Sequence, residues 1–168
     1  IFNDNGGTNT NKISGSGDLR IEGIVTNEAK IEQKNIKVFD DKKFTTNADN
    51  IITTNKIVNI GTITFTGGIN LNKIVCEEDD PDYGRIEIVG NVENAANITQ
   101  KEVEVVSGKL TNDEGKTIKV IKITNKSNSQ ISNSGTIRAT NLLNETNGVI
   151  TNEGEGNINT MNFMIIGA

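Results

Sequence analysis

The chain of 168 residues has no His and no Trp, one Cys, one Pro and only 4% aromatic residues. The missing imidazole excludes the usual neutral-pH general base, Ser–His and Cys–His nucleophile pairs and the common zinc sites. With one thiol, Cys76, there is no internal disulfide, and its neighbours Ile74 and Val75 mark it as a small core residue. No apolar run approaches the ~20 residues that a membrane-spanning helix needs, and the opening residues, Ile1 to Gly7, do not read as a signal peptide. Membrane insertion of this segment is therefore not expected. Dense basic runs are also missing: 17 Lys and Arg stand against 22 Asp and Glu, a formal net charge of −5, so no nucleic acid is expected as a partner.

What the chain does have is 25 Ile and 26 Asn. A hydrophobic content of 33% is too small for a core of bulky side chains, yet the abundance of β-branched residues and the modest charge argue against disorder. The pattern is one of short Ile-rich strands separated by Asn and Gly corners.

A unit of alternating apolar and polar residues between such corners recurs along the chain. It stands at Gly17 to Ile24, Gly61 to Ile69, Gly84 to Val92 and Gly135 to Leu143, with looser copies between, so that strands start at an irregular period near 20 residues. A second unit, an apolar residue, then Thr, Ser or Val, then Asn, ends at Asn59, Asn112, Asn125, Asn133 and Asn152. The segment from Ile57 to Ile69 aligns without gaps on Ile131 to Leu143, which pairs Asn59 with Asn133 and Ile63 with Ile137. Strands that resemble one another at a regular spacing favour a solenoid, in which equivalent residues stack, over an antiparallel sandwich. The expected fold is all-β, a single-stranded right-handed parallel β-helix of about eight irregular coils. Residues 1–168 form one such domain, read as a fragment of a longer array. Ile63, Ile86, Val103 and Ile137 should point inward in stacked rows.

Few residues suggest chemistry. The acidic run Glu77 to Asp82 contains the only Pro, and Asp79, Asp80 and Asp82 are a weak calcium candidate, because calcium wants six to eight oxygens and no Gly-supported loop pattern accompanies them. A protruding solvated loop explains the same residues. The charges Arg20, Glu22, Arg85, Glu87, Glu102, Glu104, Lys119 and Lys122 alternate with apolar positions and read as a solvent face. Thr62, Thr64 and Thr66 share one face, but an ice-binding plane would need the same array on adjacent coils. Asn97 and Asn144 fit the glycan-acceptor pattern, which has meaning only in a eukaryotic secretory context.

Asn59-Ile60-Gly61-Thr62-Ile63 and Asn133-Ser134-Gly135-Thr136-Ile137 resemble the coils of autotransporter passenger domains and filamentous-haemagglutinin-like adhesins of Gram-negative bacteria. Phe2-Asn3-Asp4-Asn5 is similar to the F-x-x-N element of polymorphic outer-membrane proteins, whose companion G-G-A element is only approximated at Gly67-Gly68-Ile69. The resemblance implies a secreted or cell-surface rod used for attachment, with a host-cell or matrix component or a glycan as partner. The expectation is a non-enzymatic adhesin-like segment without cofactor. The alternative is a carbohydrate-active β-helix, polysaccharide-binding or lyase-type, although no Asp-Asp pair or Asn-x-Asp triplet falls on an expected strand.

Overall fold

The computed structural model describes residues 2, 4–46, 51–76 and 83–166. Among these there is no helix, and every paired strand is parallel to its neighbours. The chain winds into a β-solenoid of about eight turns, and each full turn contributes strand to three faces in the same order. Face I begins with strands Asp18–Ile21, Asn35–Val38, Lys56–Asn59 and Ile74–Val75. Face II begins with Gly7–Asn9, Ile24–Asn27, Lys43–Thr46 and Thr62–Phe65. Face III begins with Ile13–Ser14, Ile31–Glu32, Ile52–Thr53 and Gly68–Asn70. In later coils one strand runs through a corner and serves two or three faces, as in Arg85–Asn94, Ile98–Asn112, Thr117–Asn125, Thr136–Asn144 and Asn157–Ile165; Gln130–Asn133 and Val149–Asn152 complete face III.

Period-two alternation sends every second side chain inward, and parallel stacking at ~4.8 Å per rung brings like residues together. Face I supplies the row Leu19, Ile36, Ile57, Ile74, Ile98, Ile118 and Ile137. Face II supplies Val25, Phe44, Ile63, Ile86, Val103, Ile123 and Leu142. Every member of both rows is buried. Flat, β-branched side chains suit so narrow an interior, and Phe44 is the one aromatic among its largest fully buried residues. On the last rung Phe163 and Ile165, which continue inward positions, are more than half exposed.

The four inward residues expected from the sequence are all buried, but they occupy two rows. Ile63, Ile86 and Val103 stack on face II, while Ile137 stacks on face I. The repeat copies therefore do not mark one strand per coil, and their irregular period reflects a change of face as well as coils that differ in length from 17 to 24 residues.

The gapless alignment of Ile57–Ile69 with Ile131–Leu143 likewise relates two different corners, face I to II in the first and face III to I in the second. A shared corner geometry explains it. Four-residue turns at 39–42 and 113–116 close with hydrogen bonds from Lys42 N–H to Phe39 C=O and from Lys116 N–H to Asp113 C=O, and place Asp41 and Gly115 at φ of 56° and 71°. On the next rung Gly61 and Gly135 pack onto these turns. A Cβ at Gly61 would lie 2.2 Å from the Phe39 carbonyl oxygen, and one at Gly135 would lie 2.3 Å from that of Asp113, so both positions exclude any other residue.

Asn secures the corners. Asn70, Asn94, Asn112, Asn133 and Asn152 form a continuous ladder between faces III and I, each side-chain N–H donating to the next Oδ1 at 2.8–2.9 Å. The second N–H of Asn94 and Asn133 donates to a backbone carbonyl of its own corner, Ala96 and Gly135 respectively. These amides are almost fully buried through Asn133, so their satisfaction is a condition of folding. Shorter steps, Asn9 to Asn27 and Asn125 to Asn144, follow the same rule between faces II and III.

Candidate functional site

The densest arrangement of functional side chains lies outside face II. Strand alternation that turns Ile86 and Ile88 inward turns Arg85 and Glu87 outward, and the register sets Glu102 and Glu104 on top of them, followed by Lys122 and Thr124. Carboxylates stacked one rung apart repel, and cations interleave them. Lys43 pairs with Glu87 at 2.9 Å, Arg85 pairs with Glu87 at 3.5 Å and with Glu104, and Lys122 pairs with Glu102 at 2.9 Å. Lys126, supplied by the turn at 126–129, joins Glu104 at 3.1 Å to Glu145 at 2.8 Å. The result is a zipper of four cations and four carboxylates running along the axis from Lys43 to Glu145.

Glu104 was expected on a solvent face, and the structure corrects this: the side chain does face outward, but it is buried beneath Arg85 and Lys126. Its cover comes from residues about 20 positions away on either side, which local alternation cannot show. Burial raises the Glu87 pKa, but hydrogen bonds from Lys43 and Thr64 and the nearby Arg85 charge outweigh it, so the carboxyl lies below its usual range. Lys126 lowers Glu145 in the same way. On face III, hydrogen bonds from Lys12 and Lys30 bring Glu32 down to about 2. Carboxylates held ionised by saturated ion pairs suit fixed electrostatic bracing and are poor proton donors at neutral pH.

Asp79, Asp80 and Asp82 lie outside the described residues. Among the described residues no three metal-ligating side chains converge. Cys76 is buried, with Sγ 3.1 Å from the Tyr83 carbonyl oxygen and accepting from Gln100 Nε2 at 3.6 Å, which fits the core role read from its neighbours. Gln100 itself gave no signal in the sequence, yet its buried amide accepts from Asn59 at 2.6 Å across the Cys76 rung.

The Thr triplet is divided by its surroundings. Thr64 is buried and donates to Glu87, while Thr66 donates to the Thr46 carbonyl. Thr8, Thr26, Thr45 and Thr64 do stack in one column, which the sequence comparison missed because it aligned different faces. The adjacent column reads Ile24, Lys43 and Thr62, so no two-column Thr plane forms. Asn144 is engaged in its corner, whereas Asn97 is exposed and accepts from the Thr117 N–H at 2.9 Å.

Arg20 and Lys37 flank the Phe39 ring at 4.5 and 4.9 Å, and Arg20 also pairs with Glu22 at 2.6 Å. Two cations further up the same outward column of face I are different. Lys119 and Arg138 sit directly above one another at the rim of an open hollow of about 400 Å³. Neither makes an ion pair among the described residues. No protein-family profile matches the chain, and neither a curated protein nor a solved structure shows significant similarity to it.

Proposed function

We propose that this chain is a non-enzymatic, adhesin-like structural segment, a secreted or bacterial cell-surface rod that presents a polar surface to a host-cell or matrix component or a glycan. The observation that carries the reading is the face II zipper. Its carboxylates are neutralised one for one along the axis, an arrangement that braces stacked coils and leaves no outward Glu in that zipper poised as an acid or base. About eight turns at ~4.8 Å give a rod of roughly 38 Å, and its lateral surface repeats from rung to rung. Attachment spread over such a surface tolerates single changes.

The test measures adhesion of cells and of matrix proteins to the immobilised chain, beside turnover assays on pectic, chitinous and other acidic polysaccharides with and without calcium. Adhesion that survives Glu22→Gln, Glu87→Gln and Glu104→Gln individually, without turnover, is expected. Glycan cleavage that disappears with one of these substitutions overturns the reading and installs a carbohydrate-active one, which the cationic hollow on face I favours as the second candidate.

A further inference from the structure

We propose that the hollow beside Lys119 and Arg138 binds an acidic glycan, one whose sugars carry carboxylate or sulfate groups; this gives the proposed attachment rod a specific ligand class and rests on that reading. The charge balance around the hollow points to an external anion. Strands Thr117–Asn125, Thr136–Asn144 and Asn157–Ile165 lie side by side and contain Lys119, Lys122 and Arg138 but no Asp or Glu, within a chain of net charge −5. Lys122 is neutralised by Glu102. Lys119 and Arg138 are in register on adjacent rungs, so their like charges repel, and among the described residues no carboxylate relieves them. On face II the same fold answers each outward charge with a partner from the neighbouring coil or corner. Its failure to do so here, on two consecutive rungs, marks a place where the counter-charge is brought by another molecule.

The rest of the hollow fits sugar. Its lining includes Ala139, the exposed Met161, the half-buried Ile121, and the polar side chains of Thr140 and Asn159. Ile121, Thr140 and Met161 are the corner residues skipped by the ladder pairing between faces I and II, which opens a step where the two faces meet. A sugar ring has an apolar C–H face to lay on such side chains and hydroxyls to reach Asn159 and Thr140. Arg138 offers a planar fork to a carboxylate or sulfate, and Lys119 offers a point charge one rung away. A volume of about 400 Å³ is within the range of small-ligand sites. A nucleic acid fits less well, because the hollow holds no aromatic side chain for base stacking.

Binding of oligogalacturonates and of heparin oligosaccharides to the full chain is measured by calorimetry at low and high salt, with dextran oligosaccharides as uncharged control and a single-stranded oligonucleotide as charged control. Expected are binding of at least one acidic oligosaccharide, weakening with salt, no binding of dextran, and a loss of about tenfold or more in the Lys119→Ala/Arg138→Ala double variant. Arg138→Lys should fall between, because it keeps the charge and loses the fork. Lys12→Ala/Lys30→Ala, which removes two exposed cations from face III, should bind as the parent does. Melting temperature verifies that the double variant is folded, and removal of a like-charge repulsion should preserve it. The proposal is overturned if neither acidic oligosaccharide binds, if the double variant binds equally well, or if the oligonucleotide binds as tightly at the same residues. Cell adhesion in the absence of any acidic-oligosaccharide binding removes this site and leaves the attachment rod standing. Oligosaccharide binding without adhesion does the reverse.

Discussion

The first four coils and the later ones solve the same packing problem with different materials. Before Arg85 no strand among the described residues exceeds four residues, and face III is reduced there to the two-residue strands Ile13–Ser14, Ile31–Glu32 and Ile52–Thr53 until Gly68–Asn70. From Arg85 onward strands reach 15 residues and pass through corners without interruption. The buried Asn ladder belongs almost wholly to the later coils. In the early ones the Asn9–Asn27 step is followed in register by Thr46, whose buried Oγ1 has no hydrogen-bond partner among the described residues. Exposed pairs, Lys12 and Lys30 with Glu32, flank face III instead. Exposed pairs are each worth about 0–1 kcal/mol, whereas a buried amide with both N–H groups satisfied cannot be removed without stranding its neighbours. The difference indicates that the early coils open first and the later coils hold the rod together, as expected of a one-dimensional stack of coupled repeats.

The hardest blow to that contrast is Ile137→Asp. It places a carboxylate in the face I row between Ile118 and Ile158, and its cost should exceed the several kcal/mol that a domain can spare, abolishing cooperative melting by circular dichroism. A retained cooperative transition would contradict the inward placement of Ile137. A finer comparison sets Asn112→Ala against Asn9→Ala. The first strands Asn94 and Asn133 on both sides and should cost about 2–4 kcal/mol in denaturant unfolding; the second removes one end of a single-step ladder and should cost about 1 kcal/mol. Equal costs would dissolve the distinction between the two regions.

The smallest effect is that of acid. Glu87 and Glu145 in the later coils and Glu32 in the early ones have lowered folded pKa values, so the folded state binds fewer protons than the unfolded chain and their stabilisation is complete above the unfolded carboxyl pKa of about 4.3. It is lost as pH falls below that value, down to about 2 for Glu32. Melting temperature should therefore decline gently over that interval, and Glu87→Gln should flatten the decline more than Glu32→Gln, because Glu87 is the less exposed. A decline that Glu32→Gln flattens more would reverse the ranking of the two regions.

Inward rows were legible because alternation is local: Ile86 and Ile88 announce themselves between Arg85, Glu87 and Val89. The assignment of strands to faces was not, because one corner geometry built on Asn-x-Gly-Thr serves both Asn59 and Asn133, which stand at different corners of the prism. The ladder was half visible for the same reason. Asn112, Asn133 and Asn152 carry the recurring triplet, but Asn70 and Asn94 follow Gly-Ile and Val-Glu and join the ladder only through register. Pairing across coils depends on coil length, which varies, so the zipper from Lys43 to Glu145 and the unpaired couple Lys119 and Arg138 could be separated only once the rungs were stacked.

The Asn ladder also gives the rod a direction. In every step from Asn70 to Asn152 the lower residue donates and the upper one accepts, and the corner carbonyls that take the other N–H of Asn94 and Asn133 hold those amides in that sense. The side-chain amide dipoles therefore add instead of cancelling, and each polarises the next. An electrical polarity therefore runs up one corner of the molecule. A rung stacked upside down on this column would meet donor with donor, so the corner reads orientation as well as sequence.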